Sequence, residues 1–396
     1  MIQNYCSNHE DELTNLTLKI LKEFYDYFNK AESFLKTIDI GDNRIYNNID
    51  NLAGIPKPND FSYIIKPIRT EIHKISRFKT EYKFNLFKRK IKIHIVSDKL
   101  TLLENDKYVY KILLWLYVIT KYSTNKSCSE KLNIYIYLTP LLKFLPSSRT
   151  EKIEKYHVNT GFTTTCSKNS NIVIYRKEEW FKVFIHETFH NLGLDFSDMS
   201  NVIAKKRILK TFPVNSEVNL YEAYTDVWAK LINIFLCSYF VSNNSFNKYI
   251  ETVNILINLE KTYSVFQQIK ILKFMGLTYY DLYSKDSKSK DLRDSLYYEN
   301  TSVLSYYIIN SIIMNNFQEF FKLCYENNIN IIQVDKKRDY PKKLAIFVEE
   351  KYKHNSMLSM IECITDLLYN LEKQKTKSND IMYLLNNMRK SLCEME

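Results

Sequence analysis

NIVIYRKEEWFKVFIHETFHNLG, residues 171–193, changes its hydrophobic period part-way along. Residues 171–176 form a short apolar run rich in β-branched side chains, which reads as a strand. From 178 to 192 the apolar positions Phe181, Ile185, Phe189 and Leu192 recur at helical spacing, and Gly193 stands where a C-cap would end the helix. Within that helix His186 and His190 are four residues apart, one above the other on one face, and Glu187 projects beside them. A zinc ion at a hydrolytic site takes three protein ligands and a water, and lowers the pKa of that water to about 7. His186 and His190 are therefore expected metal ligands and Glu187 the expected general base. A plainer reading leaves both histidines partly exposed on an ordinary surface helix.

Outward from this stretch the pattern divides the chain. Ile91, Ile93 and Ile95 alternate with Lys90, Lys92 and His94, which predicts a strand with a cationic outer face. A helix over 106–121 and a strand over 132–138 complete an α/β layer. Nearer the start, a helix is expected over 11–36, a turn-rich surface excursion over 39–61 and a helix over 63–79. Beyond Phe196 the apolar patterns are helical, over 219–240, 265–282, 303–325, 342–352, 358–371 and 381–392, with the KDSKSKD run at 285–291 an exposed loop. The expected fold class is α+β: residues 1–86 a helical region with a linker, 87–200 an α/β lobe carrying the HExxH helix, and 201–396 a mostly α-helical lobe.

The 396 residues are 45% apolar and hold only 5 Gly and 7 Pro, which excludes collagen-like, linker-like and disordered chains. The 31 Tyr, with abundant Lys, Asn and Ile, look like the codon bias of an AT-rich genome and resemble the composition of proteins from large DNA viruses and some protists, which is no evidence of function. Seven scattered cysteines without a CxxC suggest neither a disulfide framework nor a thiolate metal site, and fit a reducing compartment. The first residues lack a leader pattern, and the longest apolar stretches, 112–120 and 231–241, fall short of the roughly 20 residues of a membrane span. An intracellular chain, in the cytoplasm or a virion, without a membrane partner is expected. The net charge of +11 permits a polyanion partner. Between Lys66 and Lys99 basic residues interleave with Phe78, Tyr82, Phe84 and Phe87, a combination that single-strand nucleic-acid binders use and that strand or helix burial explains equally.

Three positions compete for the third metal ligand. In the spacing HExxHxxGxxH the ligand would fall on Phe196, which binds no metal, although Gly193 matches; Asp195 is one residue early. Glu217 is a second acid, better read as a helix-entry residue. The third is Glu222, in Asn219-Leu220-Tyr221-Glu222-Ala223-Tyr224-Thr225-Asp226. HExxH followed a few tens of residues later by ExxTD on a second helix resembles the gluzincin metallopeptidases, of which thermolysin is the type.

The resemblance covers about residues 88–230. It implies a zincin-like α/β lobe, one Zn2+ per chain held by His186, His190 and Glu222, Glu187 as the base, and Asp226 holding a ligand imidazole in its metal-binding tautomer. It also implies an edge strand before the HExxH helix that pairs with an extended protein or peptide substrate, a place that 171–176 fills, with Asn159–Thr163 either bordering the same cleft or forming a plain hairpin turn. The sequence departs from the pattern at Tyr221, where Asn is usual, and at Thr225, where Ser is usual. The oxyanion partner, usually His or Tyr, is expected among Tyr298 and Tyr306, with Tyr297 and Tyr307 beside them; His354 is the only downstream histidine. The alternative from another class is a non-enzymatic basic virion or nucleic-acid-binding protein whose HExxH is accidental.

Overall fold

The computed structural model describes residues 12–395, so expectations about residues 1–11, including Cys6 and the missing leader, lie outside it. The chain runs through α1 (Asn15–Leu35), β1 (Arg44–Asn48), α2 (Lys66–Ile75), β2 (Phe78–Leu86), β3 (Arg89–Ser97), α3 (Leu102–Tyr122) and β4 (Lys131–Tyr137). The single turn α4 (Lys155–Val158), β5 (Gly161–Thr163), β6 (Asn169–Ile174) and α5 (Trp180–Asn191) follow. Helices then take over: α6 (Val202–Thr211), α7 (Leu220–Val241), α8 (Phe246–Met275), α9 (Tyr279–Tyr283), α10 (Ser287–Leu296), a π-helical turn (Leu304–Ile309), α11 (Asn310–Asn315), α12 (Phe317–Asn327), α13 (Tyr340–Lys351), α14 (Asn355–Lys373) and α15 (Asn379–Asn386). This is an α+β architecture built on one six-stranded sheet of order β1-β2-β3-β4-β6-β5.

The strands β3, β4 and β6 are parallel and central; β2 and β1 extend one side antiparallel, and β5 closes the other side antiparallel. Alternation sorts their side chains. Ile91, Ile93, Ile95, Ile134, Ile136, Ile172 and Ile174 point inward into one continuous apolar core with α1, α3, α5 and α7. On the outer face, Ile55, Ile64, Ile68 and Ile72 cover Val96, Tyr137, Val173 and Tyr175, so α2 and the segment before it shield one end of the sheet. Among the described residues no helix is long and apolar enough to cross a membrane.

Several expectations are corrected. The helix expected over 63–79 stops at Ile75, and Phe78–Leu86 is the strand β2, with Thr80, Tyr82 and Phe84 buried on the inner face. Its period of two was present in the sequence but masked by the helical run before it. The polar run 285–291 is not a loop: Asp286 caps α10 by accepting from the Ser289 amide, and buried Arg293 donates to the Asp281 and Ser284 carbonyls. The segment 381–392 is helical only to Asn386, after which Asn387, Met388, Lys390 and Ser391 are buried in the interior. Cys128 and Cys166, 38 residues apart, form a disulfide that cysteine spacing did not announce. They meet because the loops entering the neighbouring strands β4 and β6 start side by side, with the Ser129 amide donating to the Ser167 carbonyl at 2.7 Å.

The entry to α5 depends on that buried final segment. Glu179, the N-cap, has φ +56°, a left-handed backbone unusual for a side-chain-bearing residue. Its amide donates to the Glu394 carboxylate at 2.9 Å, and its own carboxylate accepts from the Lys143 ammonium and from the amides of Lys390 (3.0 Å) and Ser391 (2.8 Å). Burial pushes this carboxyl up, but Lys143, Lys182 and Arg389 outweigh it and bring the pKa from 4.5 to about 2. Because the folded value is the lower one, Glu179 contributes stability that is complete above pH 4.5 and is lost as the pH falls towards 2. Glu179→Gln is expected to lower stability at pH 7 by about 3 kcal/mol, since Lys143 is left buried and uncompensated, and to flatten the acid limb of stability against pH. Urea unfolding between pH 2 and pH 7 measures both; an unchanged acid limb would contradict the assignment.

Candidate metal centre

Two buried helices build the site. All twelve residues of α5 are buried, and α5 packs against α7 so that the His face of one meets the N-terminal turn of the other. His186 and His190 come from α5 and Glu222 from α7. The His186 and His190 Nε2 atoms are 3.1 Å apart; Glu222 Oε2 is 3.1 Å from the first and 3.6 Å from the second. Two donors each about 2.0–2.1 Å from a tetrahedral zinc ion lie about 3.3 Å from one another. Two imidazoles and one carboxylate at these separations therefore fit zinc in both donor type and spacing, and the three residues form a group able to hold a metal ion. The plainer reading of two histidines on a surface helix does not hold: His186 and His190 are 5% and 7% exposed.

The partners behind the two imidazoles are specific. Asp195 Oδ2 lies 2.5 Å from His190 Nδ1 and is itself fixed by the Ser197 hydroxyl at 3.1 Å. This contact keeps the proton on Nδ1 and leaves Nε2 as a donor to metal. Gly193, at φ +66°, reverses the chain after α5 and brings Asp195 back beneath His190. Asp195, weighed in the sequence as a ligand, thus stands behind the His190 imidazole. Burial opposes charge on His190, but Asp195 and Glu222 outweigh it and hold its pKa well above the usual histidine value. Asp226 lies one turn along α7 from Glu222, with Oδ1 3.6 Å from His186 Nδ1, which has no hydrogen-bond partner among the described residues. The Asp226 oxygens are taken by the Lys182 ammonium and the Asn310 amide (3.0 Å), with Lys230 and Lys390 each 3.9 Å away.

Glu187 faces the same cleft, fully buried on α5, and burial together with the Glu222 carboxylate pushes its pKa up against the pull of the two imidazoles. Tyr306 sits on the π-helical turn, a widened turn of the kind that recurs at functional sites. Its phenol donates to Glu222 Oε2 at 2.8 Å, and the Lys390 ammonium lies 3.3 Å from its ring centroid. Burial and Glu222 raise the phenol pKa well above 10, so Tyr306 keeps its proton.

The other tyrosines lie elsewhere. Tyr298 is 47% exposed, under the Lys152 ammonium, and does not line the cleft. Tyr297 is buried and donates to Glu299, and Tyr307 donates to the Met388 carbonyl. His354 caps α14 beside Ser356, and Glu217 is exposed with Lys205 3.5 Å away. The sequence did not single out Asp195 as a support, Lys182 or Lys390. For Asp195 the signal was an acid just past the turning Gly193; for the lysines there was none, because their partners are distant in sequence.

The cleft has a volume of about 480 Å³ and is bordered on one side by β5. The edge strand is β5 rather than 171–176: β6 lies one position inside it. Gly161 allows the close approach, because a Cβ there would sit 2.6 Å from the Val173 carbonyl oxygen. Asn191 Nδ2 donates to Thr163 Oγ1 at 3.0 Å, and the Cys166 amide donates to the His190 carbonyl at 3.2 Å. The rim is thereby tied to the His190 end of α5.

No protein-family model matches the chain, and no solved structure does. Over 179 residues it is 28% identical to the uncharacterized protein R210 of Acanthamoeba polyphaga mimivirus, a match covering 45% of this chain and 44% of that protein. The likeness to a large-virus protein agrees with the composition. The chain thus aligns with less than half the length of this relative.

Asp195→Ala is expected to weaken zinc binding by about 10- to 100-fold without removing a ligand. Competition against a fluorescent zinc chelator measures it, and an affinity equal to that of the unaltered protein would show that Asp195 does not orient His190.

Proposed function

We propose that this protein is a zinc-dependent metallopeptidase that hydrolyses peptide bonds in a protein or peptide substrate. The observation carrying the reading is the triangle of His186 Nε2, His190 Nε2 and Glu222 Oε2, with sides of 3.1–3.6 Å and with Glu187 in the same cleft. A strand edge beside the cleft supports a peptide rather than a compact small molecule, because an extended chain can add to it by backbone hydrogen bonding. A location in the producing cell's cytoplasm or in a virion belongs to the same proposal.

His186, His190 and Glu222 would hold the zinc, with Asp195 and Asp226 behind the imidazoles. A zinc ion bound there supplies a Lewis acid that polarises the scissile carbonyl and acidifies water. Glu187 takes the proton of the attacking water and returns it to the leaving amine; its raised pKa brings it nearer the pH at which it must both accept and donate. Tyr306 keeps its phenolic proton and donates it as a hydrogen bond, to Glu222 at rest and to the developing oxyanion during reaction. The Lys390 side chain, whose pKa burial lowers to about 7, packs against its ring and holds the phenol in place.

Elemental analysis should find about one zinc per chain. His190→Ala and Glu222→Ala should lose it, whereas Glu187→Gln should retain it and lose hydrolysis of a peptide library by at least about 100-fold. Tyr306→Phe should keep the metal and lower kcat by about 100-fold with little change in KM. A reconstituted protein without zinc would sink the proposal, as would undiminished hydrolysis by Glu187→Gln.

A further inference from the structure

The end of the outer sheet face left bare by α2 carries two complete cross-strand rows. In one, Lys83, Lys92, Asn133 and Asn171 stand in register across β2, β3, β4 and β6. In the next, Asn85, Lys90, Lys131 and Asn169 do the same. Lys83 thus lies directly opposite Lys92, and Lys90 opposite Lys131, an arrangement of like charges that destabilises a sheet. Lys83 has Glu81 at 2.8 Å, but among the described residues no carboxylate lies within ion-pair distance of Lys90 or Lys131, and the nearby Glu130 is paired with Lys168. All residues of the two rows except Asn171 line a groove of about 530 Å³.

We propose that this face docks an acidic polypeptide segment, the part of a substrate that runs on from the cleft. Charge complementarity selects the sign of the partner. Single-stranded nucleic acid is disfavoured because it needs exposed aromatic platforms. Neither row has one: Tyr82 and Phe84 point into the core, and Tyr135, in the third row, is already stacked on His94. Asparagines beside the lysines offer amide donors and acceptors suited to a peptide backbone.

Position links the groove to the cleft. Both rows lie at the end of the sheet where β4 and β6 begin, and the ligand-bearing end of α5 is held to that same end by the Ser129 hydroxyl on the Asn191 carbonyl (3.2 Å). Thr163, on the cleft rim, donates to the Asn171 carbonyl at 2.8 Å. An extended chain leaving β5 at Thr163 therefore meets Asn171 and then the lysines. Only the statement that the segment belongs to a substrate rests on the peptidase reading; the docking does not.

Fluorescence anisotropy of a labelled oligoglutamate peptide, titrated with the whole protein, tests this. Binding should be saturable and weakened at least about tenfold by combined Lys90→Gln, Lys92→Gln and Lys131→Gln. Equal charge removal at exposed Lys285, Lys288 and Lys290 should leave it unchanged. Absence of saturable binding, equal loss in both triple variants, or tighter binding of oligothymidylate through the same three lysines would overturn the proposal. Zinc content and hydrolysis, measured on the same preparations, report on the peptidase reading separately.

Discussion

Burial of a polar helix is the constraint that the rest of the molecule meets. No residue of α5 reaches solvent appreciably, yet the helix carries Lys182, His186, Glu187, Thr188 and His190. Each of these groups would cost several kcal/mol if sealed away unpartnered. The surrounding elements supply the partners: Trp115 of α3 donates to Thr188 at 2.8 Å, Asp226 of α7 receives Lys182, and Asp195 takes His190. The helix is therefore fixed in rotation as well as position. A purely apolar helix could slide or turn with little penalty; this one has a single orientation that satisfies it.

That rotation has a chemical consequence. The same packing that pairs Lys182 with Asp226 sets Glu222, one turn earlier on α7, against the two imidazoles. The positive charge of Lys182, Lys230 and Lys390 gathers round Asp226, so a deeply buried carboxylate stays ionised. Arrangements of this kind are poor sources of net stability, because desolvation consumes most of the attraction. Their value here lies in orientation. The segment 387–394 belongs to this system, since its amides and Lys390 tie the α5 N-cap to Tyr306.

The sheet divides the molecule's chemistry by face. Inward isoleucines support α5, and the outer face is apolar where α2 covers it and basic where it does not. Strand alternation makes this possible without compromise, because neighbouring residues serve opposite faces. Lys90 and Lys92 flank Ile91, which is buried in the core. The rim strand β5, clasped by the Cys128–Cys166 disulfide and by Asn191, joins the basic face to the cleft.

Sequence by itself determined the local features. The period of two made β3 and β4 legible and a short apolar run made β6 so, the HExxH spacing stacked two imidazoles on one helical face with a carboxylate beside them, and Glu222 with Asp226 could be read as a second helix's shared face. These depend only on residues a few positions apart, where backbone geometry dictates which side chains meet. Contacts between distant segments were decided by tertiary structure. Among the tyrosines, only packing of the π-helical turn against α7 brought Tyr306 to Glu222 and left Tyr298 outside. The Cys128–Cys166 pairing, the edge position of β5 and the reach of Lys390 into the core likewise arise from chain segments folding onto one another. Such meetings leave no periodic trace in the sequence, because any of several lysines or tyrosines would satisfy the local pattern equally well.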